Sequence, residues 1–271
     1  MKRWAALLLV ALAMAACMQS QPKHSTQPRN VFLIVMENHS FGDALSAPFT
    51  ASLAKQYGAA YNYHAITHPS VPNYLALTSG STWGVQDDGY YSLPDRDLGT
   101  QLTDANVSWR AYMEGLTSQG CLHSPMPYDP GHDPFAYYGG QCPANVVPLT
   151  DLASDLSGLT PRFVWISPDM CHDTHSCQLS VGDSWLRLEV GEIMQSQAWK
   201  SGGVLFITWD EDDGSQDNQV LTLVVSPGVS HRVSRHVYTH YSLLATIEDL
   251  LGVGRLGQAA GATPMSDLLP S

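Results

Sequence analysis

Residues 67–74 hold the side chains best suited to chemistry, with Ser70 bracketed by two prolines. Because proline fixes its own backbone and disfavours helix at the residue before it, Ser70 is predicted to lie on a turn. The second proline suits the first turn of a helix, which Gly80 is predicted to end. Unpaired N–H groups and the dipole favour an anion at a helix N-terminus, so the Ser70 hydroxyl could bind and attack a phosphate there. The alternative is that Ser70 only caps the helix.

Two pairs of oxygen-bearing side chains are predicted to hold a divalent cation beside Ser70. Glu37 and Asn38 directly follow one apolar run, and Asp210 and Glu211 directly follow another. Carboxylate and amide oxygens are the ligands that hard divalent cations prefer. Such an ion would neutralise phosphate charge and lower the pKa of Ser70, so that the serine needs no dedicated base. The alternative for the second pair is a solvated acidic loop without function.

Two histidines are candidates for proton transfer or phosphate binding. His68 lies next to the predicted Ser70 turn, and His132 begins the sequence HDPF. An imidazole titrates near neutral pH, so it can donate to a phosphate oxygen or protonate a leaving alkoxide. A surface or structural role is the equal alternative for each histidine.

The elements that position these groups alternate between strands and helices. Short apolar runs predict strands covered on both faces, and helical periodicity predicts amphipathic helices. The predicted strands are 30–36, 107–112, 162–167, 203–209 and 220–226, and the predicted helices are 47–57, 98–105, 149–159, 186–199 and 240–251. This alternation predicts an α/β sandwich with a mainly parallel sheet, whose ligands gather at the carboxyl ends of the strands. An insertion over that edge is predicted near 115–145.

Composition places limits on the partners of the protein. The chain has 271 residues, of which 44% are hydrophobic and 14% are charged, and its net charge is −12. We predict a single globular domain over 30–271. A protein this acidic is not expected to hold nucleic acid or anionic membrane surfaces by bulk charge. An anionic substrate would therefore need local cations or a metal ion.

The N-terminal residues 1–16 have the pattern of an export signal, with Lys2 and Arg3 before an apolar run that ends in small residues. The run is short for a membrane span. Residues 14–17 resemble a bacterial lipoprotein cleavage box, which would make Cys17 the lipidated residue, and ordinary signal-peptidase cleavage is the alternative. Residues 17–29 are polar with two prolines and predict a linker. We expect an exported protein that is periplasmic, secreted or membrane-tethered.

Four further cysteines are predicted to form two disulfides, because an exported protein folds in an oxidising compartment. Pairing by proximity gives Cys121–Cys142 and Cys171–Cys177, one of three connectivities. A zinc site of four cysteines is the alternative, although the spacings lack the close pairs of zinc ribbons.

Several motifs together resemble the phosphoesterase family, which holds bacterial and fungal acid phosphatases, phosphoinositide phosphatases and phospholipases C within the alkaline-phosphatase-like superfamily. The matching stretches occur in order at residues 37–42, 68–77, 167–177, 207–211 and 240–244. Because several motifs match in sequence order, the resemblance is specific. It implies an alkaline-phosphatase-like fold over nearly the whole mature chain.

The resemblance also implies roles for the matching residues. Glu37 and Asn38 are expected to bind a metal ion and phosphate, and Asp210 and Glu211 are expected to be the remaining metal ligands. Ser70 is expected to be the nucleophile that forms a covalent phosphoseryl intermediate.

Further roles follow from the same resemblance. Asn73 is expected to donate to a phosphate oxygen. Relatives with two zinc ions need further ligands, for which Asp169, His172 and His240 are the candidates. The resemblance thus leaves open whether one or two ions bind. It also leaves open whether the metal is Mg²⁺, Ca²⁺, Mn²⁺ or Zn²⁺.

The function expected from these observations is that of an exported, metal-dependent phosphomonoesterase of the acid phosphatase type, with phosphoinositides among its candidate substrates. The partner is then a small phosphate ester or a phospholipid. The alternatives are a phosphodiesterase or phospholipase C, and an envelope protein that keeps the fold as a binding module without catalysis. The sequence leaves the physiological substrate, the pH optimum and the oligomeric state open.

Overall fold

A computed structural model describes residues 30–270, so the predicted signal peptide, Cys17 and the linker lie outside the described residues. The strands are β1 (Val31–Met36), β2 (Gly58–Ala60), β3 (Tyr63–His64), β4 (Trp109–Met113), β5 (Val146–Pro148), β6 (Phe163–Ser167), β7 (Val204–Trp209), β8 (Thr222–Val225), β9 (Arg232–Ser234) and β10 (Tyr238–Thr239). The α-helices are α1 (Phe41–Ser46), α2 (Pro48–Gln56), α3 (Ser70–Ser79), α4 (Leu98–Asp104), α5 (Leu152–Ser157), α6 (Leu179–Gln195), α7 (Gln197–Lys200) and α8 (His240–Leu251).

Eight of these strands form one sheet in the order β5-β4-β6-β1-β7-β8-β2-β9, and β3 pairs with β10 separately. The pairs from β5 to β7 are parallel, and β8 runs antiparallel to both of its neighbours. Every residue of β1, β6 and β7 is buried, as expected for central strands with helices on both faces. The predicted α/β fold with a mainly parallel sheet is confirmed.

The register of the two central strands brings two predicted ligand pairs together. β1 and β7 are adjacent and parallel, and Met36 lies opposite Trp209 at their carboxyl ends. The next residues along each strand, Glu37 and Asp210, therefore leave the sheet side by side.

The predicted helix 186–199 differs from the structure in two ways. α6 begins at Leu179 rather than at 186, and this start gives no clear sequence signal, because no side chain caps it and its first turns carry exposed polar residues. The predicted helix 186–199 is also broken at Ser196, whose hydroxyl accepts the Trp199 N–H and starts α7. The strands of two or three residues were not predicted, since they are too short to show a period.

Two disulfides close loops in the segments that follow β4 and β6. Cys121 is bonded to Cys142, and Cys171 is bonded to Cys177, which is the predicted pairing. The first bond closes the segment between β4 and β5, which also forms 3-10 turns at Pro130–His132 and Pro134–Tyr137. Within residues 30–270, no helix has the length and apolar character needed to cross a membrane.

Candidate active site

Ser70 is the first residue of α3 and has only 6% of its surface exposed. The whole helix is buried, and it packs against α8. Pro69 occupies the cap position, and the Ser70 hydroxyl bonds to acidic side chains rather than to the helix backbone. The alternative in which Ser70 only caps the helix is therefore not observed. Asp88 instead accepts the Val71 N–H at 3.0 Å.

The predicted ligand pairs surround the Ser70 hydroxyl. Ser70 Oγ lies 3.1 Å from Oε2 of Glu37 and 3.5 Å from Oε1 of Glu211. Oδ1 of Asn38 is 3.4 Å from the same hydroxyl. The Asn38 N–H donates to Oδ1 of Asp210 at 3.2 Å. The structure thus brings together all five residues predicted to form the nucleophile and its cation site.

The three carboxyl groups at this centre are held in an environment that opposes their ionisation. Burial, and then the charge of Asp210, raise the pKa of Glu37 well above its usual range. Burial raises the pKa of Asp210 to about 7. Burial, followed by the charge of Asp210, raises the pKa of Glu211 to about 9. Three buried carboxyl groups with so little compensating charge are the electrostatic setting that a bound cation stabilises.

Two details of the polar atoms fit a divalent cation at this centre. Oδ2 of Asp210 is buried and has no hydrogen-bond partner. The side-chain oxygen of Asn38 faces two other acceptors, Oδ1 of Asp210 and Oε2 of Glu37. If the amide were rotated by 180°, its nitrogen would donate to Asp210 at 3.2 Å and to Glu37 at 2.9 Å. The orientation with the oxygen inward instead suits a cation bound between the three side chains.

His132 reaches the same centre from the segment between β4 and β5. Its Nε2 lies 3.5 Å from Oε2 of Glu37, and its Nδ1 lies 3.1 Å from Oδ2 of Asp173. The ring stacks on Tyr74 with centroids 5.3 Å apart. Burial alone would lower the pKa of His132, but the carboxylates of Glu37 and Asp173 outweigh burial and raise it to about 10. The imidazole is therefore a buried cation facing Glu37.

His68 and Asn73 both contact another carboxyl group of the centre, that of Glu211. His68 bridges two carboxylates, with Nδ1 at 3.0 Å from Glu211 and Nε2 at 3.2 Å from Asp212, and 46% of its side chain is exposed. Nδ2 of Asn73 lies 3.3 Å from Oε2 of Glu211 and also donates to the carbonyl of Thr67 at 2.7 Å. Asn73 thus holds the turn before Ser70, and its phosphate-binding role stays a prediction.

A model of the phosphoesterase family matches residues 43–254, more than half of the chain. The chain belongs to the phosphoesterase family. It is a phosphoric ester hydrolase, as the motifs indicated.

Named relatives of this phosphoesterase are phosphatases. A phosphatidylinositol-3-phosphatase of Mycobacterium tuberculosis is 30% identical over 249 residues, which cover 88% of this chain and 82% of that protein. A phosphate-repressible acid phosphatase of Penicillium chrysogenum is 26% identical over 83% of this chain, which spans 59% of the fungal protein.

Solved structures support the fold of this phosphoesterase. A protein in the alkaline phosphatase superfamily from Vibrio parahaemolyticus superposes with a TM-score of 0.60 at 12% identity, over 89% of this chain and 72% of that one. A phosphonate monoester hydrolase from Silicibacter pomeroyi gives a TM-score of 0.60 at 10% identity, over 89% and 76% of the two chains. The phosphoesterase therefore has the alkaline-phosphatase-like architecture.

Two of the predicted second-site residues form a separate cluster in the phosphoesterase. Asp169, His172 and Glu114 offer ligand atoms that lie within 4.8 Å of one another. Nδ1 of His172 is 3.0 Å from both carboxylate oxygens of Glu114, and the ring stacks on Trp185. The structure therefore places Asp169 and His172 beside Glu114 rather than in contact with Ser70.

His240, the third second-site candidate, supports the centre from behind. Its Nδ1 is 2.9 Å from the Tyr63 hydroxyl, and its Nε2 is 2.5 Å from the backbone oxygen of Asp210. Burial lowers the pKa of His240 to about 4, so the ring is neutral. Both ring nitrogens face protein groups, which fits a role in fixing the Asp210 backbone.

Two site residues of the phosphoesterase had no role assigned from sequence. The Tyr74 hydroxyl donates to Oε1 of Glu37, and Asp173 contacts His132. Tyr74 lies in the Ser70 motif, and Asp173 lies in the polar run 168–175 that follows β6. Their positions inside the matching stretches 68–77 and 167–177 are the signal that the sequence offers, but their partners are brought close only when the chain folds.

Proposed function

We propose that this phosphoesterase is a metal-dependent phosphomonoesterase in which Ser70 carries the phosphoryl group between two half-reactions. One observation carries the proposal. The Ser70 hydroxyl is buried at the first residue of α3 and lies within 3.5 Å of oxygens supplied by the ends of two adjacent parallel strands.

The residues fit a divalent cation held by Glu37, Asn38, Asp210 and Glu211 together with Ser70. When bound, such a cation lowers the pKa of the serine hydroxyl and neutralises phosphate charge. The oxygen donor set suits Mg²⁺, Ca²⁺ or Mn²⁺ and also accepts Zn²⁺. The cluster of Glu114, Asp169 and His172 is the proposed place for a second ion.

Before the first half-reaction the Ser70 hydroxyl releases its proton to solvent, as the lowered pKa would allow. Oγ then attacks phosphorus as an alkoxide while the bond from phosphorus to the ester oxygen breaks. Nε2 of His132 faces this centre and gives its proton to the leaving oxygen, which departs as an alcohol. Asn73 is proposed to hold a phosphate oxygen. Catalysis then depends on position and on charge balance, as phosphoryl transfer generally requires.

In the second half-reaction, water attacks the phosphoserine from the side that the alcohol has left. Neutral His132 takes a proton from the water, the bond from phosphorus to Ser70 Oγ breaks, and inorganic phosphate leaves. Ser70 and His132 thereby return to their starting protonation states, and one ester is converted to one alcohol and one phosphate.

A phosphomonoester is the proposed substrate class. The names of the relatives, a phosphatidylinositol-3-phosphatase and acid phosphatases, support monoester cleavage and keep phosphoinositides among the candidates. Export is proposed from residues 1–16 and is supported by the two disulfides, and lipidation of Cys17 is the proposed anchor.

The proposal is tested with p-nitrophenyl phosphate and bis-p-nitrophenyl phosphate, each assayed with and without a chelator. We expect turnover of the monoester that the chelator abolishes and a divalent cation restores. Ser70→Ala should lower kcat about 1,000-fold or more, since it removes the nucleophile. Ser79→Ala is the matched control, because Ser79 is a buried serine at the other end of α3. A strong preference for the diester, or full activity of Ser70→Ala, would overturn the proposal.

A further inference from the structure

The loop after β6 holds a fully buried carboxylate, Asp173, that contacts two parts of the site. Its side chain lies 3.1 Å from Nδ1 of His132, and its backbone oxygen accepts the Glu37 N–H at 2.9 Å. Both residues of this contact are buried, with 0% of Asp173 and 7% of His132 exposed. A charged group buried this deeply is costly unless it is paired. The contact with His132 provides that pairing.

The Asp173 contact decides which way the His132 ring faces. With Nδ1 engaged by Asp173, the other ring nitrogen, Nε2, is the one that faces Glu37 at 3.5 Å. Glu37 is also the carboxylate to which the Ser70 hydroxyl donates. Tyr74 stacks almost flat on the ring, with an interplanar angle of 7°, and prevents it from tilting.

We propose that Asp173 is a positioning residue that holds His132 with Nε2 toward the phosphoryl group, so that His132 protonates the leaving oxygen. This inference rests on the proposed function. Asp173 acts through His132 and touches no reacting atom. In the step that it supports, the Nε2–H bond of His132 breaks, the O–H bond of the product alcohol forms, and the bond from phosphorus to that oxygen breaks.

The side chain of Asp173 can be changed while the backbone contact of this residue is kept. The bond to the Glu37 N–H uses the backbone oxygen of Asp173, which every substitution retains. Its Oδ1 accepts the His175 N–H at 2.7 Å, and the amide oxygen of asparagine can accept there as well. Asp173→Asn therefore removes the carboxylate charge opposite His132 while it preserves the size of the side chain.

Leaving groups distinguish a positioning role from a general loss of structure. The p-nitrophenolate group leaves without a proton, whereas the alkoxide of β-glycerophosphate needs one. For Asp173→Asn we expect kcat on β-glycerophosphate to fall about 100-fold, kcat on p-nitrophenyl phosphate to fall less than about 10-fold, and KM to change little. Asp97→Asn is the matched control, because Asp97 is a buried aspartate that caps α4.

A double variant tests whether Asp173 works through His132. If it does, adding Asp173→Asn to His132→Gln should cause no further loss of kcat on β-glycerophosphate, although each single variant is slow. Equal losses on both substrates, a further loss in the double variant, or an Asp173→Asn variant as active as Asp97→Asn would overturn the inference. If the wild type hydrolyses neither substrate, the proposed function itself fails.

A measurement on the unchanged protein covers the case in which Asp173→Asn does not fold. An imidazole N–H that donates to a buried carboxylate gives a strongly deshielded proton signal in NMR spectra. We expect such a signal from His132 Nδ1–H in the wild type and its loss in His132→Gln. Absence of the signal from the wild type would overturn the inference.

Discussion

At the scale of single residues, the site is dominated by three buried carboxyl groups that crowd one hydroxyl. Glu37, Asp210 and Glu211 each have a raised pKa for which burial is the first cause. His132 supplies compensating positive charge, but it is shared between Glu37 and Asp173. Without a cation such a centre retains protons on its carboxyl groups, and a bound cation would replace those protons and stabilise the ionised groups.

This argument predicts opposite effects of Asp210→Asn with and without a cation. In chelator the variant should be at least as stable as the wild type, because one buried charge is removed. At a Mn²⁺ concentration about 100 times Kd, the wild type should gain about 2.7 kcal/mol and the variant much less. Thermal unfolding measures both, and Asp97→Asn should keep the wild-type gain. An equal gain in wild type and Asp210→Asn would contradict the assignment of Asp210 as a ligand.

The sequence made Ser70 and its four predicted neighbours visible because their signals are local. Each predicted ligand pair directly follows a buried strand, and prolines bracket the serine. Asp173 was missed because its partner, His132, is 41 residues away along the chain. No local pattern encodes that contact. The same holds for the second-site candidates Asp169 and His172, which cluster with Glu114 and not with Ser70.

At the scale of elements, α8 contains a buried acid outside the active site. Glu248 accepts the Leu256 N–H at 2.7 Å, which fixes the chain after the helix, and its Oε2 has no partner. Burial raises the pKa of Glu248 to about 8, despite the lowering effects of that hydrogen bond and of Arg255, while Asp249 raises it further. The neutral form therefore predominates in the folded protein at neutral pH.

The raised pKa of Glu248 predicts a pH-dependent loss of stability. Because the folded pKa lies above the usual value of 4.5, the stabilisation is complete below about pH 4.5 and is lost as pH rises through about 8. Glu248→Gln lacks this titration, so its Tm relative to the wild type should rise between pH 5 and pH 8. Thermal unfolding at several pH values checks this. Parallel pH profiles for the two proteins would show that Glu248 does not titrate as argued.

The bounds of helices and strands were predicted most accurately where the apolar pattern in the sequence is continuous. The helix 240–251 was predicted with the bounds that α8 has, because a continuous apolar face ends at a glycine in the left-handed conformation, Gly252. β1, β6 and β7 were found within one residue, since each is a continuous apolar run. The predicted start of α6 lies too far along the chain, at 186 instead of Leu179, because the first turns of this helix resemble a polar loop. β9 is too short to predict.

At the scale of the whole molecule, the strand order decides which motifs meet. β1 and β7 are far apart in sequence but adjacent in the sheet, and their parallel register places Glu37 beside Asp210. The rule that ligands gather at the carboxyl ends of parallel strands was enough to predict that meeting. The full order of eight strands, with β8 antiparallel, depends on pairings between distant segments that the sequence pattern does not encode.

The central claim is that Ser70 takes up the phosphoryl group. The most direct measurement is acid quenching during turnover of p-nitrophenyl phosphate, followed by mass spectrometry of the peptide that contains Ser70. We predict one phosphoryl group on Ser70, with more of it in His132→Gln, because loss of the base slows the attack of water. A protein that turns over without phosphoserine in either form, or with the phosphoryl group on another residue, would contradict the account.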